Sequence, residues 1–274
     1  MLAHFNAIWK FRHFWMSLVK MDLMTRYRKS VLGIGWSLLQ PVMMTAILTL
    51  VFSQIGPRGQ TVETGWQHYS VMTFIAMTVY GFLRDSALHG CHCLSRNESY
   101  IRQTPLPFSI YSMRTVLGLT IHFLITVVVL LAMALGFESM GYLNQGQLSN
   151  CIWMILPMLP LIVICGWALA TIAGFAMVYF NDVSHILEIG AQMFFFLTPV
   201  IYERKVLIGE DGSRAWLVDY NPAAAFIETF QKPLVYHEPA TVLAYSLAIG
   251  TTAFLVLVAC LMIRYLSKRV IFHM

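Results

Sequence analysis

The sequence predicts an all-α polytopic membrane protein with about six transmembrane helices. Of its 274 residues, 58% are hydrophobic and 11% are charged, whereas soluble chains carry about 25% charged residues. Long apolar stretches recur along the chain and leave no segment for a separate hydrophilic domain. We therefore expect one membrane domain, residues 1–274, with an N-terminal helix in residues 1–30, a transmembrane bundle in residues 31–266 and a tail in residues 267–274.

Each predicted span is a stretch of about 20 apolar residues, the length that a helix needs to cross the hydrocarbon core. The candidates are residues 31–55, 68–88, 108–137, 151–180, 186–202 and 242–264. The fifth is the shortest, so it is the segment for which a re-entrant hairpin remains an alternative to a full crossing.

The segment between the fifth and sixth spans, residues 203–239, is too polar to cross. Within it, Asn221 followed by Pro222 predicts a helix start, because Asn caps free N–H groups and Pro suits the first turn. The apolar side of this helix consists of Ala225, Phe226, Ile227 and Phe230. We expect short re-entrant helices here that dip into the outer membrane interface.

The distribution of Lys and Arg predicts the orientation of the chain. With both termini in the cytoplasm, the external set consists of Arg58, Arg204, Lys205, Arg214 and Lys232. The total is 18, so 18 − 5 leaves 13 basic residues on the cytoplasmic side. This positive-inside bias favours cytoplasmic termini.

The N-terminal segment has the pattern of an amphipathic helix, with residues recurring at spacings of three and four. One side consists of Ile8, Phe11, Trp15 and Leu18, and the other of Lys10, His13, Ser17 and Lys20. Such a helix is expected to lie along the cytoplasmic surface of the membrane. A passive surface anchor and a gate are both compatible with the pattern.

The inner loop, residues 84–107, contains the pattern of a short capped helix. Ser95 followed by Glu98 forms a capping box, and Pro105 and Pro107 would end the helix. Its mixed face of charged, polar and aromatic residues suits binding to a soluble partner, although a solvated loop has the same composition.

The sequence lacks the motifs of a catalytic subunit. It contains no phosphate-binding loop ending in Lys and Ser or Thr, and no evident nucleophile with a partner base. His89, Cys91, His92 and Cys93 are too closely spaced for a usual tetrahedral metal site. We therefore expect no enzyme activity, metal or cofactor in this chain, no nucleic-acid partner, and ATP hydrolysis in a separate subunit.

Two kinds of membrane-embedded side chain allow both a structural and a functional interpretation. Aromatic residues near span ends fit an interfacial belt, but they can also pack against the apolar faces of sugar rings. His122 and Glu188 are ionisable residues within predicted spans, so they could form a proton relay or an interhelical contact.

Four motifs in order resemble the permease subunits of bacterial polysaccharide ABC exporters. Residues 26–41 read RYRKSVLGIGWSLLQP, residues 100–107 read YIRQTPLP, residues 195–202 read FFLTPVIY, and Asn221 and Pro222 follow. These proteins are type 2 ABC transporters that export O-antigen, capsule or teichoic acid chains. The resemblance extends over essentially the whole chain.

The resemblance implies a homodimer in the bacterial inner membrane, paired with two copies of an ABC ATPase subunit that binds ATP and Mg. Its substrate would be an undecaprenyl-linked polysaccharide, with O-antigen as the foremost candidate. The cytoplasmic gate helix would include Trp15, Arg26, Tyr27, Arg28 and Lys29. The ATPase-coupling helix would include Ser95, Arg96, Asn97, Glu98, Tyr100 and Arg102. The side chains facing the polysaccharide would be Trp36, Tyr80, Phe82, Phe194, Phe195, Phe196 and Tyr202.

Two other transporter classes remain as alternatives. A type 2 ABC permease for a drug or small lipid would share the fold and the coupling to an ATPase. A secondary transporter driven by protons through His122 and Glu188 would need no ATPase.

Overall fold

The computed structural model describes residues 12–27, 33, 35–55, 65–103, 106–141, 148–202 and 215–273. The longer helices are α1 (Arg12–Tyr27), α2 (Gly35–Ile55), α3 (Gly65–Cys91), α5 (Ser109–Ser139), α7 (Met158–Tyr179), α8 (Val183–Leu197) and α11 (Val242–His273). The shorter ones are α4 (Glu98–Gln103), α6 (Leu148–Ile155), α9 (Ala215–Asp219) and α10 (Pro222–Gln231). A 3₁₀ turn, Ser95–Asn97, leads into α4, and a π-helical turn, Lys232–Tyr236, follows α10.

The fold class predicted from the sequence is confirmed. Within the described ranges, four helical stretches are long and apolar enough to cross a membrane: Gly65–Cys91, Ser109–Ser139, Cys151–Tyr179, which joins most of α6 to α7, and Val242–Ser267. Two shorter apolar helices, Leu38–Phe52 and Val183–Leu197, complete the set. Each of the six predicted spans overlaps one of these helices, and the described part of the chain contains no strand.

The central helix α3 fixes the two ends of the bundle. At one end, the Tyr69 hydroxyl donates to the Ile201 carbonyl at 2.6 Å, and the Gln231 side chain donates to the Met72 carbonyl at 3.0 Å. We call this end of the bundle the α10 end. The opposite end, where α3 ends at Cys91, is the α4 end. Since α3 has 27 residues, the two ends are roughly 40 Å apart.

Small residues bring α3 and α7 into close contact along their length. A Cβ added to Gly90 would lie 2.3 Å from the Ala170 Cα, and one added to Gly166 would lie 2.7 Å from the Ser86 hydroxyl. Such contacts let helix backbones approach closely, which favours association where dispersion rather than the hydrophobic effect holds helices together.

A second apolar cluster lies at the α4 end. Its members come from the turn after α3, from α4, α5 and α7, and from the end of α11; they are Cys93, Leu94, Ile101, Tyr111, Phe175 and Val270. In the region predicted as the tail, residues 267–274, α11 continues to His273, and its Val270 is fully buried.

The re-entrant region contains the predicted short helices, but one of them lies inside the protein. Asn221 caps α10 as predicted, since its Oδ1 accepts from the N–H groups of Ala223 at 2.9 Å and Ala224 at 3.3 Å. However, Phe226 and Phe230 are at most 1% exposed, and α10 packs between α3 and α11. Neighbouring helices therefore cover the apolar side of α10. Residues 203–214 lie outside the described ranges.

Candidate functional site

A cavity of about 1060 Å³ opens between α2, α3, α5 and α8. Five of the seven aromatic residues predicted to face the polysaccharide line it: Trp36, Tyr80, Phe82, Phe195 and Phe196. Phe194 and Tyr202 are not part of its lining. The cavity lies along the α3 helix and is large enough for several sugar rings or a lipid headgroup.

The aromatic wall of the cavity has a fixed part and an exposed part. The Tyr80 hydroxyl donates to the Ala191 carbonyl, and its ring meets the Phe195 ring edge-on with 5.4 Å between centroids. Phe82 is buried with its ring 4.7 Å from that of Phe123. By contrast, Trp36 and Phe196 are 56% and 67% exposed, so their faces are available to a ligand.

Polar residues that the sequence analysis did not assign to the cavity also line it: Gln40, Arg84, Asp85, His89 and Gln192. The prediction that the inner loop begins at residue 84 is wrong, because α3 continues through Arg84 and Asp85 to Cys91. The predicted span 68–88 already included these charges, and a helix can carry charged side chains where they face a polar cavity. The spacing of Arg84, Asp85 and His89 along one helix was the available signal.

The two residues of the hypothetical proton relay are not brought together at the cavity. His122 lines it, whereas Glu188 is an exposed residue of α8 outside the lining. The structure therefore offers this pair no shared polar pocket.

The predicted coupling helix is present as one helical segment, residues 95–103, which we call the coupling segment. Its start differs from expectation: Leu94 holds the N-cap position without a side-chain cap bond, so Ser95 does not form the predicted capping box. The segment begins inside the second apolar cluster, and packing rather than capping places its first turn.

The coupling segment exposes only some of its predicted partner-binding residues. Ser95 and Arg96 are exposed, Glu98 and Tyr100 are half-buried, and Asn97 is only 5% exposed. Asn97 therefore faces the bundle rather than a partner. The side chain of Arg102 lies outside the described part of the chain.

The N-terminal helix α1 packs against α5 rather than lying alone on the membrane. Trp15, Leu18 and Val19 are buried, while Ser17 and Lys20 are exposed, which confirms the polar and apolar sides at these positions. Protein therefore covers the apolar side at Trp15 and Leu18. The other predicted members of the helix lie outside the described residues. They are Ile8, Lys10, Phe11, Arg28 and Lys29, and the side chains of His13, Arg26 and Tyr27.

One arginine joins α1, the coupling segment and α5. The Arg114 guanidinium on α5 donates to both Asp22 carboxylate oxygens, from Nε at 2.6 Å and from Nη2 at 2.5 Å. Its Nη1 donates to Asn97 Oδ1 at 2.6 Å. The Asn97 amide in turn donates to the Cys93 carbonyl at 2.7 Å. The Arg114 side chain is only 11% exposed.

The cysteines are free thiols, and four of the five are buried. Burial raises the pKa of the Cys93 thiol to about 12, so this thiol stays protonated at neutral pH and is a poor nucleophile and metal ligand. No group of three or more His, Cys, Asp or Glu residues in the described ranges is arranged to hold a metal ion.

The described part of the chain is an all-helical bundle with a cavity between four of its helices and several helices long and apolar enough to cross a membrane, an architecture compatible with a membrane transport protein. Residues 13–235 match the family described as ABC-2 type transporter, and the chain belongs to this family. Its all-helical fold and its apolar spans agree with those of a membrane-embedded permease of this family.

The similar curated proteins are permeases. The chain is 24% identical over 230 residues to an O-antigen export system permease protein RfbA of Klebsiella pneumoniae, covering 81% of this chain and 82% of the relative. It is 25% identical over 210 residues to a second protein of that name from the same species, covering 75% and 74%. A protein of that name from Myxococcus xanthus is 22% identical over 238 residues, covering 86% of each chain.

Proposed function

We propose that this chain is the channel-forming permease of an ATP-driven exporter that moves an undecaprenyl-linked polysaccharide, O-antigen above all, across the bacterial inner membrane. Two copies of the chain would pair with two copies of an ABC ATPase subunit that binds ATP and Mg. Both termini and the α4 end would face the cytoplasm.

The observation that carries the proposal is the cavity with exposed aromatic faces at Trp36 and Phe196. Aromatic rings bind the C–H faces of sugars without one fixed hydrogen-bond pattern, which suits a repeating chain that slides past them. The names of the similar permeases point to the same substrate class. A small-molecule site would instead be expected to enclose its ligand.

The proposed ATPase contact is the exposed start of the coupling segment at Ser95 and Arg96. It lies at the end of the bundle where α3, α7 and α11 converge on the second apolar cluster. A force applied to this segment would thus reach three long helices through packed side chains rather than through a loop.

The test is ATP-dependent export in proteoliposomes that contain the chain, its co-purifying ATPase and a radiolabelled undecaprenyl-linked glycan. We expect glycan transfer that requires both subunits and ATP and that persists when a protonophore collapses the proton gradient. Loss of transfer under the protonophore with ATP present would favour a proton-coupled transporter. Transfer of undecaprenyl phosphate alone, but not of the glycan-linked form, would favour a small-lipid permease.

The docking surface is tested by Arg96→Glu. This change reverses an exposed charge and should weaken co-purification of the ATPase at least several-fold while leaving membrane insertion intact. The matched control is Glu238→Gln, which alters an exposed charge at the α10 end and should leave co-purification unchanged. Equal recovery of the ATPase with both variants would contradict the assignment.

A further inference from the structure

Three segments that are far apart in the sequence meet at the guanidinium of Arg114. It holds Asp22 of α1 through two hydrogen bonds and Asn97 of the coupling segment through a third. The planar guanidinium presents its N–H groups in a fixed fork, so these three bonds set the relative position of α1 and the coupling segment.

The partners of Arg114 are themselves held in place. Asn97 is buried, and its amide nitrogen is bonded to the Cys93 carbonyl, which directs its oxygen toward Arg114. On the α1 side, Trp15, Leu18 and Val19 are buried in the helix whose main contacts are with α5. Apolar packing therefore already holds α1 against α5, and the hydrogen bonds of Arg114 fix the orientation of α1.

The geometry points to Arg114 as a positioning residue that clamps α1 to the coupling segment, so that both move as one unit when the ATPase binds and hydrolyses ATP. The inference rests on the proposed function, because it assigns the coupling segment to the ATPase. Movement of the coupling segment would reach the N-terminal helix through the contact of Arg114 with Asp22 and Asn97.

The burial of the contact explains why it would transmit movement. The Arg114 side chain is 11% exposed, while Asp22 is 49% exposed. A largely buried guanidinium without its carboxylate would be left poorly paired, so separation of the two segments is opposed. An exposed ion pair such as that of Lys232 with Glu238, at 3.7 Å, lacks this constraint.

The experiment uses the complex with its ATPase and spin labels on Lys20→Cys and His92→Cys. Lys20 is exposed on α1, and His92 lies in the turn that leads into the coupling segment. Cys260 is replaced, and the four buried thiols are retained. Distances between the labels are measured by pulsed electron resonance without nucleotide and in an ATP-trapped state.

With Asp22 and Arg114 intact, we expect the distance component from the two labels within one chain, read in complexes diluted with unlabelled chain, to be narrow and to keep its mean in both states. Asp22→Asn should broaden the distribution at least two-fold and raise the ATP hydrolysed per glycan exported several-fold. Arg114→Gln should act in the same direction, and Arg114→Lys should be intermediate because it keeps the charge but loses the fork. Lys232→Gln, which breaks the ion pair at the α10 end, should change neither readout.

An unchanged distribution and coupling ratio in Asp22→Asn would overturn the inference, as would a label distance that shifts between nucleotide states in the unmutated complex. Asp22 is half-exposed, so its substitution tests the clamp even where Arg114 variants fail to assemble. The distance readout needs no glycan. A complex that hydrolyses ATP but exports no glycan therefore refutes the proposed substrate and leaves the clamp testable.

Discussion

The α3–α7 pair and the helix α8 are neighbours in one bundle, yet they are packed very differently. Along α3 and α7, small residues allow near-contact of the backbones, and half or more of each apolar window is buried. In α8, whose 15 residues are all described, none is buried, and Ile186, Ile189, Met193 and Phe196 are each at least 60% exposed.

The difference indicates that α3 and α7 form a tightly packed scaffold, whereas α8 forms a wall of the cavity in which no residue is buried. The α3–α7 pair meets the second apolar cluster at its α4 end, so it is the part that can carry force. The α8 helix and the exposed side of α2 border the cavity, and the described residues on their outer faces are exposed in one copy of the chain. A transport path that opens between two copies would use that wall.

The largest expected effect comes from Gly90→Ala. The added Cβ would lie 2.3 Å from the Ala170 Cα, which a flexible side chain cannot relieve because the clash is with backbone. We expect loss of most folded protein, measured as monodisperse yield in detergent. Gly81→Ala makes the same change on the same helix with no atom within 4 Å, and it should be neutral or slightly stabilising. Equal yields of the two variants would contradict the close packing of α3 and α7.

The next effect compares one substitution in the two regions. Ile162 on α7 is fully buried, so Ile162→Ala should cost about 2–5 kcal/mol, whereas Ile189→Ala on α8 should cost less than about 0.5 kcal/mol. Thermal unfolding of the purified chain in detergent measures both. Similar midpoints for the two variants would show that α8 is packed as tightly as the scaffold.

The smallest effect concerns the junction between the two regions. Asn221→Ala removes the cap of α10 and the 3.0 Å bond from Nδ2 to Thr198 Oγ1 just after α8, at a cost of about 1 kcal/mol. Asn221→Ser keeps a capping oxygen and should recover most of the loss in the unfolding midpoint. Failure of Ser to recover any stability would show that the Thr198 bond, rather than the cap, matters here.

Local sequence signals predicted the elements of this fold well. Hydropathy located all six apolar helices, and the Asn221–Pro222 pair located the start of α10, because capping depends only on adjacent residues. Likewise, the alternation of Trp15 and Leu18 with Ser17 and Lys20 correctly divided α1 into buried and exposed sides.

Signals that depend on distant contacts were missed. The burial of α10 and the inward direction of Asn97 each depend on neighbours far away in the sequence. The contact of Arg114 with Asp22 spans 92 positions, and no local pattern indicates it. Five of the seven predicted aromatic residues do line one cavity, because their proximity follows from the packing of α2, α3 and α8.

The most direct test of the account is whether α8 forms the wall between two copies along the transport path. Two variants each carry one introduced cysteine. In the first it replaces Phe196, which is 67% exposed and lines the cavity. In the second it replaces Val128 of α5, which is 64% exposed and lies outside the lining. Cys260 is replaced in both. Oxidative cross-linking is then measured in membranes together with ATP-driven glycan export. We predict cross-linked dimers at position 196 only, with export lost on cross-linking and restored by reduction. Dimers at position 128 but not 196, or export that survives the cross-link, would contradict the account.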